Sequence, residues 1–294
     1  MTSLRIATRG SALALIQARL VEAALRRLGV AVELVPVVSA GDARAPGTAP
    51  GEGVFVTALE QALLAGEADL AVHSAKDMPL VAEPQLVVAA YPARADPRDA
   101  LVGSSLADAP AGARVGTDSL RRGGFLLRLR PDLRHHPLHG NVDTRLRKLD
   151  AGETDLLVLA AAGLDRLGRA ERIAQRFAPS DVMPAGGQGA LAVQARRSDR
   201  RVRGLLAALD RPDVRLAVEA ERFVLEATGG TCRSPVGALA RVDGDSVEVQ
   251  AAAVLPDGTH YHRVVLRGAL GEAPGLAAEA GRQLLVHVPL EPGL

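Results

Sequence analysis

The densest chemistry in the chain is His73-Ser74-Ala75-Lys76-Asp77-Met78-Pro79, which follows the apolar run Leu70-Ala71-Val72. Four ionisable or hydroxyl groups in five positions are dense for the end of a buried strand. A carboxylate there can face a cation that develops during reaction, and the lysine can bind an anion. A solvated Lys76–Asp77 pair of little consequence is the commoner case for such neighbours. Pro79 restricts Met78 and stops the turn from continuing as helix. Thr8-Arg9-Gly10-Ser11 offers a second constellation: backbone N–H groups at a helix start, a hydroxyl and a guanidinium fork, together suited to a carboxylate or phosphate. A plain N-cap beside a surface arginine explains the same residues. The third is a pair, Gly116-Thr-Asp-Ser119-Leu-Arg121-Arg122 and His139-Gly-Asn141-Val-Asp-Thr144-Arg145. Both read as strand-loop-helix starts carrying hydroxyls and arginines. Arginines lining a helix face explain Arg128 and Arg147 better than Arg121 or Arg145.

One cysteine, Cys232, lies in Thr228-Gly-Gly-Thr-Cys-Arg-Ser-Pro235. It excludes an internal disulfide framework and favours a reducing, cytoplasmic home. A Cys-rich zinc site is excluded as well, and no metal is expected. A lone cysteine is usually a small buried apolar residue. Flanked by glycine and proline and beside Arg233, this one can equally be a loop thiol of lowered pKa, a nucleophile or attachment point.

Elements must position these groups, and the composition permits them. The chain has 294 residues, 48% hydrophobic and 23% charged, a balance that builds a core and argues against disorder. No apolar run is long enough to span a membrane, and the start of the chain shows no signal peptide. Aromatic residues make up 2%, which argues against base-stacking surfaces. Formal charge is +1 overall, yet Arg114 to Lys148 holds nine basic residues against three acids. That local field suits a small polyanion in a cleft better than nucleic acid.

Strand Leu4 to Thr8, a helix from Ser11 to about Arg27, strand Val30 to Val38, helix Val54 to Ala65 and strand Asp69 to His73 form one α/β unit with a largely parallel sheet. Proline and charge at Pro92 to Asp99 mark a domain crossing. A second α/β set follows, with strands at Ala113 to Gly116, Leu133 to His139 and Leu156 to Ala160. After the glycine-rich turn Pro184 to Gly189 comes a strand, Ala190 to Ala195, open to either domain. Alternating strands from Val236 and a final helix, Ala273 to Val286, read as a separate α+β unit.

In order and wording these segments resemble the hydroxymethylbilane synthase family, also called porphobilinogen deaminase. The matching pieces are Arg5-Ile-Ala-Thr-Arg-Gly-Ser11, Gly53-Val-Phe-Val-Thr-Ala-Leu-Glu60, Ala68 to Pro79, Gly116 to Arg122, Gly140 to Arg145, Pro184 to Ala190 and the cysteine loop. The resemblance implies an α/β protein of three domains. Domain 1 is residues 1–95 with 190–212 and domain 2 is residues 96–189. Both are of the type II solute-binding-protein kind, with a cleft between them. Domain 3, residues 213–294, is α+β and carries the cysteine loop. It implies a transferase that joins four porphobilinogen units head to tail, releasing ammonia each time, on a dipyrromethane primer bound through a thioether to Cys232. Asp77 would stabilise positive charge on pyrrole nitrogens. Arg9, Ser11, Lys76, Arg121, Arg122 and Arg145 would bind acetate and propionate groups, with Ser74 and Ser119 assisting. Gln188 joins the substrate-binding set, and Asp42 matches a family aspartate near the cofactor. Each pyrrole brings two carboxylates, so the growing chain needs an arginine-lined cleft. On this reading Arg121, Arg122 and Arg145 are solvated cleft charges that contribute little to folding, and Arg128 lies on an outer helix face. His139 departs from the family by replacing an arginine, Thr57 by replacing a lysine. A monomer is expected, with no nucleic-acid or membrane partner. The rival reading is a non-catalytic ligand-binding module of the same fold, which has no need of Asp77 or a loop cysteine.

Overall fold

The computed structural model describes residues 3–37, 54–231 and 234–290, so Asp42 and Cys232 lie outside the described residues. The chain forms two compact units, residues 1–95 with 190–215 and residues 96–189 with 216–294.

The first stretch contains β1 (Leu4–Arg9), α1 (Ala12–Arg27), β2 (Val32–Val37), α2 (Val54–Leu64), β3 (Leu70–Ser74) and β4 (Leu86–Ala90). The next contains β5 (Asp99–Val102), β6 (Arg114–Gly116), α3 (Leu120–Leu129), β7 (Arg134–His136), α4 (Val142–Asp150), β8 (Leu156–Ala160), α5 (Ala161–Arg166) and β9 (Ile173–Arg176). Then come β10 (Leu191–Arg196), α6 (Arg200–Leu206), α7 (Pro212–Ala227), β11 (Val236–Asp243), β12 (Ser246–Ala253), β13 (His262–Ala269) and α8 (Ala273–His287).

In the first unit the strand order is β2-β1-β3-β10-β4. Alternation along β1 decides its two faces. Leu4 and Ile6 pack with Ala18, Val21 and Leu25 of α1, whereas Ala7 packs with Leu59, Ala62 and Leu63 of α2. Ser11 caps α1 through a hydrogen bond accepted from the Ala14 amide at 3.4 Å.

The second unit repeats the pattern as β7-β6-β8-β5-β9. Both five-stranded sheets are largely parallel, as expected, with one reversed strand in each. Four strands in each run in the same direction, and one, β10 in one sheet and β5 in the other, runs antiparallel to both its neighbours. These are the strands that follow the changes of unit at residues 95–96 and 189–190. A change of unit reverses the chain direction, which local periodicity does not record.

The second unit also holds the antiparallel sheet β11-β12-β13, covered by α8. Leu239, Ala252 and Val254 of this region share a core with Phe125 and Leu126 of α3 and with Met183. Gly124 lets α3 approach closely, since a Cβ there would come within 2.5 Å of the Leu255 carbonyl oxygen. The turn from Pro184 to Gly189 needs φ of +78° at Gly187 and +86° at Gly189, a region that side chains avoid. It is tied to α7 by Glu221, whose buried carboxylate accepts from the Gly187 amide at 2.6 Å and from the Ala240 amide at 2.8 Å.

One carboxylate thus joins the turn, α7 and β11. Glu221→Ala leaves two buried amides without an acceptor and is expected to cost about 2–4 kcal/mol, measured by urea unfolding. A loss below about 0.5 kcal/mol would show that the turn does not depend on Glu221.

Candidate active site

In the first unit β1 and β3 are parallel neighbours, so their C-terminal ends, Arg9 and Ser74, reach the same edge of the sheet. Open α/β sheets bind their ligands at such edges. Past Ser74 the chain makes one 3₁₀ turn, Ala75–Asp77. Neighbouring elements hold that turn. Gln17 of α1 donates to the Ser74 hydroxyl at 3.0 Å, and the Ala75 amide donates to the Ala190 carbonyl at 3.0 Å. Met78 is buried behind it, Lys76 is half-buried, and Asp77 is exposed. Among the described residues the Asp77 carboxylate has no hydrogen-bonding or ionic partner, although its backbone is fixed. A carboxylate so held can meet a cation in solution with little reorganisation.

In the second unit β6, β7 and β8 are parallel, and the turns after them share one edge. Ser119 caps α3, accepting from the Arg122 amide at 3.3 Å, and Asn141 caps α4, accepting from the Thr144 amide at 2.9 Å. Asp118 joins the two turns. Its Oδ2 lies 3.2 Å from Arg145 Nη2 and 2.8 Å from His139 Nδ1. The imidazole approach is close but off the line of a hydrogen bond, which leaves buried His139 Nδ1 and Asp118 Oδ1 both without one among the described residues. Arg145 Nε donates to the Gly140 carbonyl at 2.8 Å, which orients the guanidinium. His139, Arg145 and Asp118 thus form a half-buried charged group at the sheet edge.

Arg121 and Arg122 are placed differently from the expectation of solvated charges, which is corrected. They are 3% and 6% exposed and converge on Asp99 of β5, which is fully buried. Arg121 Nη1 donates to Asp99 Oδ2 at 2.7 Å and also to the Met183 carbonyl. Arg122 Nε donates to Asp99 Oδ1 at 2.9 Å. Gln188, also fully buried, donates to Asp99 Oδ1 at 3.0 Å and to the Pro97 carbonyl at 2.7 Å. Burial would raise the Asp99 carboxyl, but the charges of Arg121 and Arg122 outweigh it and hold the group below the usual carboxylate range. The physical reason is local. Residues 121 and 122 sit in the first turn of a helix whose start packs against β5, so their side chains run inward. Arg128 also departs from the outer face assigned to it. Its guanidinium stacks 4.1 Å from the centre of the Tyr261 ring and donates to the Asp181 carbonyl at 3.1 Å.

Arg166 was not among the expected site residues. It ends α5, the helix after β8, is half-buried, and donates to the Gly189 carbonyl at 2.7 Å. Burial pushes its guanidinium below the ordinary value, with Asp165 opposing. Its signal in the sequence is its place: a cation one short helix after a buried parallel strand.

Removing one partner from a buried charge cluster costs more than removing the cluster. Asp99→Asn leaves two guanidinium charges buried side by side and is expected to lose about 3–5 kcal/mol of stability. Asp99→Asn with Arg122→Leu should recover part of that loss, measured by urea unfolding. Because the Asp99 carboxyl is depressed in the folded chain, this stabilisation is complete above the unfolded value near pH ~3.9 and is lost as pH falls below it. A single variant within 1 kcal/mol of wild type would contradict the assignment.

Comparison with known proteins meets this geometry from the other side. Residues 4–204 match the family model described as "Porphobilinogen deaminase, dipyromethane cofactor binding domain", and residues 215–286 match "Porphobilinogen deaminase, C-terminal domain". The porphobilinogen deaminase of Acidothermus cellulolyticus is 48% identical over 97% of this chain and 88% of its own length. That of Roseiflexus castenholzii is 47% identical over 96% of each. Among solved structures, an ABC-transporter periplasmic substrate-binding protein from Coxiella burnetii is 16% identical with a TM-score of 0.45, covering 72% of this chain and 93% of that one, a level from which nothing about function follows. Two family models, together spanning most of the chain, and close relatives over nearly its whole length place this chain in the porphobilinogen deaminase family, transferases of tetrapyrrole biosynthesis that carry a dipyrromethane cofactor.

Proposed function

We propose that Asp77 is the catalytic carboxylate of this transferase and that Cys232 carries the dipyrromethane. The observation that carries the first part is the exposed Asp77, without a partner among the described residues, on a fixed turn beside Lys76. When a porphobilinogen loses ammonia, positive charge spreads over its pyrrole, and a fixed carboxylate offsets it as it forms. Lys76, Ser74, Arg9 and Ser11 supply donors for acetate and propionate groups at the edge of the first unit. In the second unit Arg145, Ser119 and the α3 and α4 starts do the same.

The residues present fit the cofactor. A dipyrromethane brings several carboxylates and two pyrrole N–H groups. The second unit's edge offers cationic and hydroxyl donors for the first and the orphaned Asp118 Oδ1 as an acceptor for the second. The cofactor supplies the terminal pyrrole to which each new unit is joined. Arg121 and Arg122 supply positive charge behind that edge, where a ligand carboxylate must compete with Asp99 for their N–H groups, and Gln188 holds Asp99 in place. Asp42 is assigned beside the cofactor on the family resemblance alone. His139 stands with Arg145 on Asp118, where it offers an imidazole in place of a guanidinium.

Porphobilinogen is the substrate. We further assign the enzyme to the cytoplasm as a monomer. The single cysteine supports a reducing compartment, and no helix among the described residues is long and apolar enough to cross a membrane.

Asp77→Asn keeps the shape of the turn and removes the charge. Turnover of porphobilinogen, followed as the porphyrin absorbance that develops after oxidation, should fall about 10²–10³-fold. The unfolding midpoint should stay unchanged, since Asp77 makes no side-chain hydrogen bond or ion pair among the described residues. A rate within a few-fold of wild type would remove Asp77 from the catalytic role.

A further inference from the structure

The turn that bears Lys76 and Asp77 is preceded by His73, a buried residue with a polar tether of its own. On the same face of the sheet, β10 presents Gln194 diagonally across from it, with Ala192 the direct partner of His73 and Ala71 that of Gln194. His73 Nε2 lies 3.1 Å from Gln194 Oε1, and Gln194 Nε2 donates to Glu60 Oε1 of α2 at 2.8 Å. The carboxylate of Glu60 can only accept, so the Gln194 amide nitrogen must face it. That leaves the Gln194 oxygen for His73, which therefore donates from Nε2. A hydrogen-bonded line thus runs from α2 through β10 to the residue next to Ser74.

We infer that His73 is a positioning residue for the catalytic turn, fixed as the Nε2–H tautomer by Gln194 and Glu60. The inference rests on the assignment of Asp77 above. The tethers of the turn start on α1 through Gln17, just before β10 through Ala190, and on α2 through Glu60, which reaches His73 by way of Gln194 on β10. Together they fix the start of a turn whose last residue, Asp77, has no side-chain tether among the described residues. Burial pushes the imidazole down to about 4, with the bond to Gln194 opposing, so His73 is neutral at working pH. A neutral imidazole also spares Asp77 a competing cation four residues upstream. That matters to a carboxylate whose task is to meet a transient positive charge.

The test uses the full-length holoenzyme with porphobilinogen as substrate. Gln194→Met keeps the volume but removes both hydrogen bonds. It should lower kcat about 10- to 100-fold, the range expected when a reacting group is misplaced by a fraction of an ångström to an ångström. KM should stay within about twofold, because the groups that bind carboxylates are untouched. Gln194→Glu restores an acceptor for His73 and can share a proton with Glu60, so it should return kcat to within a few-fold of wild type. Imidazole ¹⁵N shifts, assigned by loss of the signal in His73→Asn, should show a neutral Nε2–H ring at pH 7 in wild type and not in Gln194→Met. Should Gln194→Met fail to fold, Glu60→Ala, at the far end of the line, should still lower kcat and alter the His73 signal. Wild-type kcat in Gln194→Met, or equal loss in Met and Glu variants, would overturn the proposal. So would an Nδ1–H ring in wild type. If Asp77→Asn keeps wild-type turnover while the His73 spectrum is as stated, the catalytic assignment of Asp77 fails instead, and the tautomer assignment stands.

Discussion

A carboxylate with no exposure has to be matched by positive charge, and Asp99 is matched twice. Arg121 and Arg122 reach it from the first turn of α3, and Gln188 completes its hydrogen bonding from the turn between Pro184 and Gly189. This cluster fixes where α3 begins relative to β5. With the start of α3 set, Ser119 caps it, and Asp118, one residue earlier, is delivered to the edge where Arg145 and His139 meet it. The same turn is held from behind by Glu221, itself buried. Two buried carboxylates, each fully hydrogen-bonded, therefore set the geometry of the second unit's edge. Such groups contribute modestly to net stability but strongly penalise any other arrangement.

The basic stretch from Arg114 to Lys148 is consequently not one surface. Arg121 and Arg122 neutralise the interior, and Arg128 packs on Tyr261. Arg114 clamps Asp155, and Arg130 pairs with Asp132. Arg145, with His139 beside it, is left at the sheet edge. A ligand that accumulates carboxylates meets a few positioned cations instead of a diffuse field. On the proposed role of Arg145, specificity for a chain of pyrroles would come from spacing, because its guanidinium is oriented by the Gly140 carbonyl.

Much of this was legible in the sequence because the relevant interactions are local. The N-caps Ser11 and Ser119 act within three residues, and the strands β1, β3, β6 and β8 announce themselves as short apolar runs that end in polar turns. What escaped the reading depends on partners far along the chain. The short strands β4, β5 and β9 have no strong periodicity, and the reversed direction of β10 follows from its entry from the other unit. The burial of Arg121 and Arg122 depends on Asp99, more than twenty positions away, and an arginine-rich helix start otherwise reads as solvated. In the sequence His73 stands in a polar turn, whereas its partners lie 121 positions away at Gln194 and, through it, on α2. Family resemblance named roles for residues whose surroundings only the fold could show.

The central claim is that this chain builds its product on a primer it holds covalently at its one cysteine. Intact mass spectrometry of the purified, denatured protein, followed by peptide mapping, addresses that claim most directly. The protein should be heavier than its sequence by two porphobilinogen units less two ammonia, with the excess confined to the peptide that contains Cys232 and absent from Cys232→Ser. An active enzyme of unmodified mass, or an adduct mapped to any other peptide, would contradict it.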